Sequence, residues 1–403
     1  MSDLLAESAA LAPALVDLRR RLHAIPEVGL TLPVTQAALL AELDGLGLEI
    51  SVGTDLTSVT AVLRGSTRDR AVLLRSDMDG LPVREQTGEL FAPAAESAHA
   101  EAMHACGHDL HMAALVGAAR MLAARADTLA GDVILMFQPG EEGYDGAGLM
   151  VKEGVLEAAG CPVVAAYALH VFSSWFPRRV FTARPGTMMA ASHALTVRVI
   201  GAGAHGSAPH LGRDPIAAAA EMVTALQSMV TRQFDAFDPV VVTVGTFHGG
   251  TRRNVIPGEA SFDATVRTVS AASAKRMAEA SVRLCEGIAH AHGLQVEATF
   301  SDEDAATVND ADEYEFAADV ARDVFGDSRF TPMAVPLSVS EDFSRVLDRV
   351  PGAYVFLGAS TEDDPLAAAT NHSPLARFDD GVLPDAAAMM AELAIRRLRQ
   401  PTR

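Results

Sequence analysis

The sequence predicts an α/β protein: an α/β domain with a mostly parallel sheet, interrupted by an inserted α+β unit of four strands and two helices. Three observations lead there. From residue 59 to 171, apolar strand-like runs alternate with helical periodicity, the pattern of βαβ layers. Runs such as AVLLRSD (71–77) and VILMFQP (133–139) open on four or five consecutive apolar residues without alternation, as strands covered on both faces do. After RPGTMMA (184–190) the order changes to strands grouped around two long helices with short links, and beyond residue 300 the α/β pattern resumes.

In order, helical periodicity runs over about 8–24 and 34–46, followed by strands at 59–65 and 71–77. A helix (109–125), a strand (133–139), a helix (145–158) and the strand VVAAYALHV (163–171) complete the first part. The insertion reads as a strand (194–201), a loop of Gly, His, Ser and Pro, a helix (214–232), strands at 241–247 and 259–268, a helix (271–292) and a strand (294–300). A helix (311–325), the strand AYVFLG (353–358) and a helix (385–399) then supply what the first part needs for completion.

The 403 residues carry 32 Lys+Arg against 52 Asp+Glu, a net charge of −20 that repels nucleic acid and anionic membrane surfaces and favours a small-molecule partner. Asp3 and Glu7 stand where a secretory leader would carry basic residues, and no run of 18 uninterrupted apolar residues occurs. The 3 cysteines, Cys106, Cys161 and Cys285, are far apart, which argues against a disulfide framework; a cytoplasmic protein is expected.

Polar clusters fall where the inferred strands end: Asp77 and Asp79 after one, Glu141 and Glu142 after another, His170 closing a third. Ligands of open α/β sheets bind at the carboxyl ends of strands, so these groups can converge on one crevice. MHACGHDLHM (103–112) adds a thiol and an imidazole two positions apart, Cys106 and His108, a pair suited to a borderline-soft metal such as zinc. A cysteine nucleophile with His104 or His108 as its base is the rival reading of that stretch, and it leaves the carboxylate pairs without use. Glu141 and Glu142 can divide two tasks of hydrolysis, one binding metal and the other taking a proton from bound water, although a lone EE pair is commonly a solvated turn. His170, His205, His372 and Asp79, taken singly, each fit an ordinary structural role in a core or a turn.

Taken in order, RSDMDGLP, MHACGHDLHMA, FQPGEEGYDGAG, ALHV, GAGAHGSAPH, GGTRRNVIPGEASFDATVRT, SEDFS and NHSP resemble the signature series of the metal-dependent amidohydrolases. That family includes hippurate hydrolase, N-acyl-L-amino acid amidohydrolases and auxin–amino acid conjugate hydrolases, within the wider group of two-metal aminoacylases and carboxypeptidases. The resemblance covers about 15–395. It implies a catalytic domain over 1–187 and 301–403, and a lid and dimerisation domain over 188–300. It implies two divalent metal ions per subunit, zinc first, with manganese, cobalt or nickel as alternatives. Cys106 bridges in this scheme, with His108 and His170 on one ion and Glu142 and His372 on the other. Glu141 is the general base, and Asp79 orients a ligating histidine, His108. His205 is donated across a homodimer interface toward the developing oxyanion, and Asn254 and Arg267 bind substrate. Leu110 and Tyr144 stand where that family commonly has smaller residues. The implied reaction is cleavage of an N-acyl amino acid to a carboxylic acid and an amino acid. A dipeptidase or carboxypeptidase with the same chemistry, and a non-catalytic metal- or ligand-binding relative, are the alternatives.

Overall fold

The computed structural model describes residues 3–400, which fall into two compact units. One takes the chain up to Met188, Val308–Val335 and the chain from Asp342 onward; the other takes Met189–Thr307 and Pro336–Glu341. No helix among the described residues is long and apolar enough to cross a membrane.

In the first unit, eight strands of the described residues form one sheet. Their order is Glu49–Val52, Val59–Leu63, Asp132–Gln138, Ala71–Asp77, Val163–Phe172, Gly352–Gly358, Phe181–Ala183 and Phe330–Pro332. The four central strands run parallel, and antiparallel joins bring in the strands Glu49–Val52, Val59–Leu63 and Phe181–Ala183. Every residue of Ala71–Asp77, Asp132–Gln138 and Gly352–Gly358 is buried, which explains why these strands read as continuous apolar runs. Helix His108–Ala123 packs against the strand Ala71–Asp77 and against helices Asp3–His23 and Leu383–Arg399, so it too is buried nearly all round.

The main elements lie within a few residues of expectation, and the differences have local causes. The helix expected over 145–158 ends at Lys152, because Gly154 adopts φ 91° and a short 3-10 turn, Val155–Glu157, follows. Glu49–Val52, Phe181–Ala183 and Phe330–Pro332 were not anticipated, being too short to display a period.

The second unit is a four-stranded antiparallel sheet in the order Val240–Gly249, Glu259–Thr268, Ala191–Ile200 and Gln295–Asp304, counted over the described residues. Its strands alternate between buried and exposed positions, and helices Pro215–Gln233 and Ala271–Ala291 cover the apolar side through Met222, Leu226 and Met277 against Leu195, Val197 and Phe262. Asp214 caps the first of these helices at Ile216 N, and Ser270 caps the second at Ser273 N.

Gly107 precedes helix His108–Ala123 with φ 83°, and a Cβ there would lie 2.5 Å from Val171 Cγ2. Gly45 has a similar φ of 74° but nothing within 4 Å. Gly45→Ala should therefore cost only the left-handed conformation, about 1 kcal/mol. Gly107→Ala adds a collision inside the core and should cost at least about twice as much. Thermal melts of both variants beside the wild type check this order.

Candidate metal centre

The carboxyl ends of the parallel strands carry the polar groups. Asp77 ends its strand, His170 lies two residues before the end of Val163–Phe172, and Glu141 and Glu142 follow Asp132–Gln138 in a tight loop. His372 enters from the loop after Gly352–Gly358, with φ 69° and its N–H donated to Ala105 O at 2.9 Å. Gly146 closes the glutamate loop, and only glycine fits there, because a Cβ would stand 1.8 Å from Pro139 O.

These groups meet around Cys106. Its Sγ lies 3.3 Å from His170 Nε2 and 3.3 Å from His372 Nε2. His372 Nε2 is also 3.2 Å from Glu142 Oε1, and the contacts to Cys106 and Glu142 push His372 up to about 10. Burial raises the Glu142 carboxyl, but the His372 hydrogen bond and the nearby histidine charges hold it below its usual value. His108 opens its helix and bonds Asp79 O through Nδ1 at 2.8 Å. A carbonyl only accepts, so the neutral ring keeps its proton on Nδ1 and presents the Nε2 lone pair to the site. That Nε2 lies 3.9 Å from Glu141 Oε2 and 3.9 Å from Glu142 Oε1.

Two sets of possible ligand atoms, each within 4.8 Å of one another, share Cys106: one with His108 and His170, the other with Glu142 and His372. His108 Nε2 is buried with no hydrogen-bond partner, and the equally buried Glu142 Oε1 has the 3.2 Å contact with His372 Nε2. Leaving such atoms unsatisfied costs on the order of 1–3 kcal/mol each, and a cation among them removes that cost. The donor chemistry, one thiol, three imidazoles and a carboxylate, suits a divalent metal.

A ring of buried partners holds these groups from behind. Asp79 Oδ1 accepts from Glu141 N at 3.0 Å and Oδ2 from Glu142 N at 3.1 Å. The resemblance implies that Asp79 orients His108; the Asp79 main-chain oxygen makes the close contact with His108 Nδ1, and the carboxylate, which receives the two amides, lies 3.6 Å from the same nitrogen. Asn371, which precedes His372 in the NHSP motif and was given no role from the sequence, donates to Val171 O at 3.0 Å and Cys106 O at 3.3 Å, and accepts from Ser173 N at 2.9 Å.

Asp77, His108 and His111 form another close group, but both His111 nitrogens are used. Nε2 accepts from Val171 N at 2.8 Å, so Nδ1 donates to Asp77 Oδ1 at 2.6 Å, and His111 is a support and not a ligand. His104 is buried with neither nitrogen partnered. Leu110 is buried in its helix, and Tyr144 is exposed with its ring against Gly29.

The family model for peptidase family M20/M25/M40 matches residues 73–396. The chain belongs to that family. It is a hydrolase of the M20 type, 33% identical to the hippurate hydrolase of Campylobacter jejuni over 96% of this chain and 100% of that one. It is also 33% identical to thermostable carboxypeptidase 1 of Saccharolobus solfataricus over 95% of each. Among solved structures, a Bacillus subtilis protein described as a dinuclear metal binding peptidase of the M20 family superposes with a TM-score of 0.83 at 28% identity, covering 98% of this chain and 100% of that one.

The remaining residues singled out in this M20 chain lie in the second unit. His205, which pairs with Val255 on a two-stranded ladder, and Asn254, just before that ladder's second strand, are exposed, and Asn254 O accepts from Gly206 N at 2.8 Å. His205 Nδ1 is 2.7 Å from Ser207 Oγ. Arg267 Nη1 donates to Ser192 Oγ and, at 2.9 Å, to Thr265 Oγ1. Arg267 pairs with Ser192 near the start of the strand Ala191–Ile200, whereas His205 follows that strand's end. The strand rise of about 3.3 Å per residue therefore sets the two well apart within the unit.

Burial pushes His104 down from 6.5 to about 3. A depressed histidine contributes stability that is present above the unfolded value and lost as pH falls through 6.5 toward 3, because the unfolded chain takes up a proton that the folded one refuses. The loss approaches about 1.4 kcal/mol per pH unit. His104→Leu should remove this contribution, so its melting temperature should fall less than that of the wild type between pH 7 and pH 5. Parallel slopes for the two proteins would contradict a buried neutral histidine.

Proposed function

We propose that the chain is a two-metal amidohydrolase that cleaves the amide bond of N-acyl amino acids, releasing a carboxylic acid and an amino acid. The observation that carries this reading is the sharing of Cys106 by two ligand groups, with Glu141 next to the ligand Glu142. In it Cys106, His108, Glu142, His170 and His372 hold two divalent ions, zinc first, with manganese, cobalt or nickel as alternatives. Ions so held would acidify a water and polarise the scissile carbonyl. Glu141 takes the proton from that water and passes it to the leaving nitrogen. Asp79, by binding the amides of both glutamates, keeps Glu141 aimed differently from Glu142.

The substrate class is supported by the hippurate hydrolase and by the N-acetyl-L-cysteine deacetylase of Bacillus subtilis, 32% identical over 96% of this chain. The equal identity to a carboxypeptidase favours a second reading, the same chemistry on a peptide bond. The proposal extends to residues 188–300 as a lid and dimerisation domain and to 1–187 with 301–403 as the catalytic domain. In a homodimer His205, beside Asn254, supplies a donor to the oxyanion of the partner's site, and Arg267 meets a substrate carboxylate.

Glu141→Gln should keep the wild-type metal content and lose on the order of 100- to 10,000-fold in turnover. Dialysis against chelator should abolish activity, and one of the four metals should restore it. Turnover of hippurate and N-acetyl amino acids above a dipeptide panel supports the first reading, and the reverse order supports the peptidase. Activity that survives chelation and ends with thiol alkylation would instead make Cys106 the nucleophile.

A further inference from the structure

The SEDFS stretch (340–344) has so far been given no task in the site. Its Asp342 is 1% exposed, and its carboxylate joins both ends of the loop that carries Glu141 and Glu142. Ahead of the loop, Gln138 ends its strand and donates from Nε2 to Asp342 Oδ1 and Oδ2, each at 2.8 Å. Behind the loop, Ala147 N, in the first turn of helix Gly146–Lys152, donates to Oδ2 at 2.9 Å. Three residues after Asp342, Arg345 Nε donates to Asp145 Oδ1 at 2.9 Å.

Asp145 has φ 54°, a left-handed conformation uncommon for residues with a Cβ, though Asp adopts it more readily than most. The short helix Ser344–Leu347 packs on Gly146–Lys152, so the segment from Asp342 to Leu347 grips the loop's exit as one piece. Buried Arg75 completes the grip, with Nε to Gln138 Oε1 at 2.8 Å, Nη1 to Asp77 Oδ2 at 2.7 Å and Nη2 at 3.3 Å from Asp342 Oδ1.

We propose that Asp342 and Arg345 are positioning residues that clamp the two ends of the loop and so set where the Glu141 carboxylate stands relative to Glu142. This rests on Glu141 acting as the base. The loop contains Gly140 at φ 73° and Gly143 at φ 85°, so without anchored ends its backbone has wide freedom. Asp79 fixes only the amides of Glu141 and Glu142. In the proposed reading the metal holds Glu142 a second time, and Glu141 is kept off the metal. Loosening the ends therefore moves Glu141 more than Glu142, and a base displaced by about 1 Å loses on the order of 100-fold in rate.

The test uses the full chain loaded with zinc. Arg345 and Asp145 are 31% and 46% exposed, so Arg345→Ala leaves the core intact. Its kcat should fall about tenfold, with KM and metal content within about twofold of the wild type, and Arg345→Lys should recover most of the loss. Asp342→Asn replaces one of two required acceptors by a donor, and its kcat should fall between about 10- and 100-fold with the same split. In a Glu141→Gln background, Arg345→Ala should change the residual turnover by less than about twofold, because its effect runs through Glu141.

Wild-type kcat in Arg345→Ala and Asp342→Asn, with Glu141→Gln inactive, would overturn the clamp while leaving the base in place. An equal drop from Arg345→Ala with and without Glu141, or loss of metal in step with activity, would also overturn it. Full turnover in Glu141→Gln would remove the base and the clamp together. Where Asp342→Asn does not fold, Arg345→Ala and Arg345→Lys decide.

Discussion

Asp79 is bonded on three sides, and each bond reaches a different piece of the site. Its carboxylate receives the amides of Glu141 and Glu142, and its carbonyl receives Nδ1 of His108. A centre of this kind has to bury imidazole, thiol and carboxylate atoms while leaving their lone pairs free for a ligand, and unpaired buried groups relax toward one another unless something holds them back. Asp79 does so for a helix start and a loop at once. Burial alone would favour its neutral acid and pushes it above the usual carboxylate value; the His108 contact and the amide of Glu142 work the other way. Asn371 does the same service for Cys106 and the His372 loop, and His111 for Asp77.

The sheet makes such a cage possible. Parallel strands deliver their carboxyl ends to one edge, so residues far apart in sequence, Cys106 and His372 among them, arrive within hydrogen-bonding distance. Helix His108–Ala123 is buried on nearly all sides, which fixes His108 at its first turn as firmly as a strand residue. The antiparallel second unit uses the other solution, one covered face and one open face; Arg267 lies on that sheet, whereas His205 and Asn254 lie at the separate two-stranded ladder.

Much of this was legible in the sequence because period and composition report burial directly. The strands Ala71–Asp77 and Glu259–Thr268 and the helix Ala311–Phe325 coincide with the expected bounds, since a long apolar or alternating run is compatible with few environments besides a covered or half-covered element. Cys106, His108, Glu142, His170 and His372 were each readable as a ligand type, and the structure gathers them. The partners behind them were not readable. Asn371, Gln138 and Asp342 stand inside the motifs NHSP, FQPGEEGYDGAG and SEDFS, but the hydrogen bonds through which they act cross long sequence separations, which no local pattern encodes. Arg75 did leave a trace, as the one charge inside the apolar stretch AVLLRS, and a buried charge implies a buried counter-charge that Asp77 and Asp342 supply. His104 and His111 both stand in MHACGHDLHM, and only their surroundings separate a supported histidine from an unpartnered one.

The central claim, that Cys106 is shared between two cation positions, is tested most directly by a crystal structure of the zinc-loaded protein with anomalous scattering at the metal edge. The account predicts two ions per chain, one bonded by Cys106, His108 and His170 and the other by Cys106, Glu142 and His372. A single ion, or ions bonded by His104, by His111 or without Cys106, would contradict it.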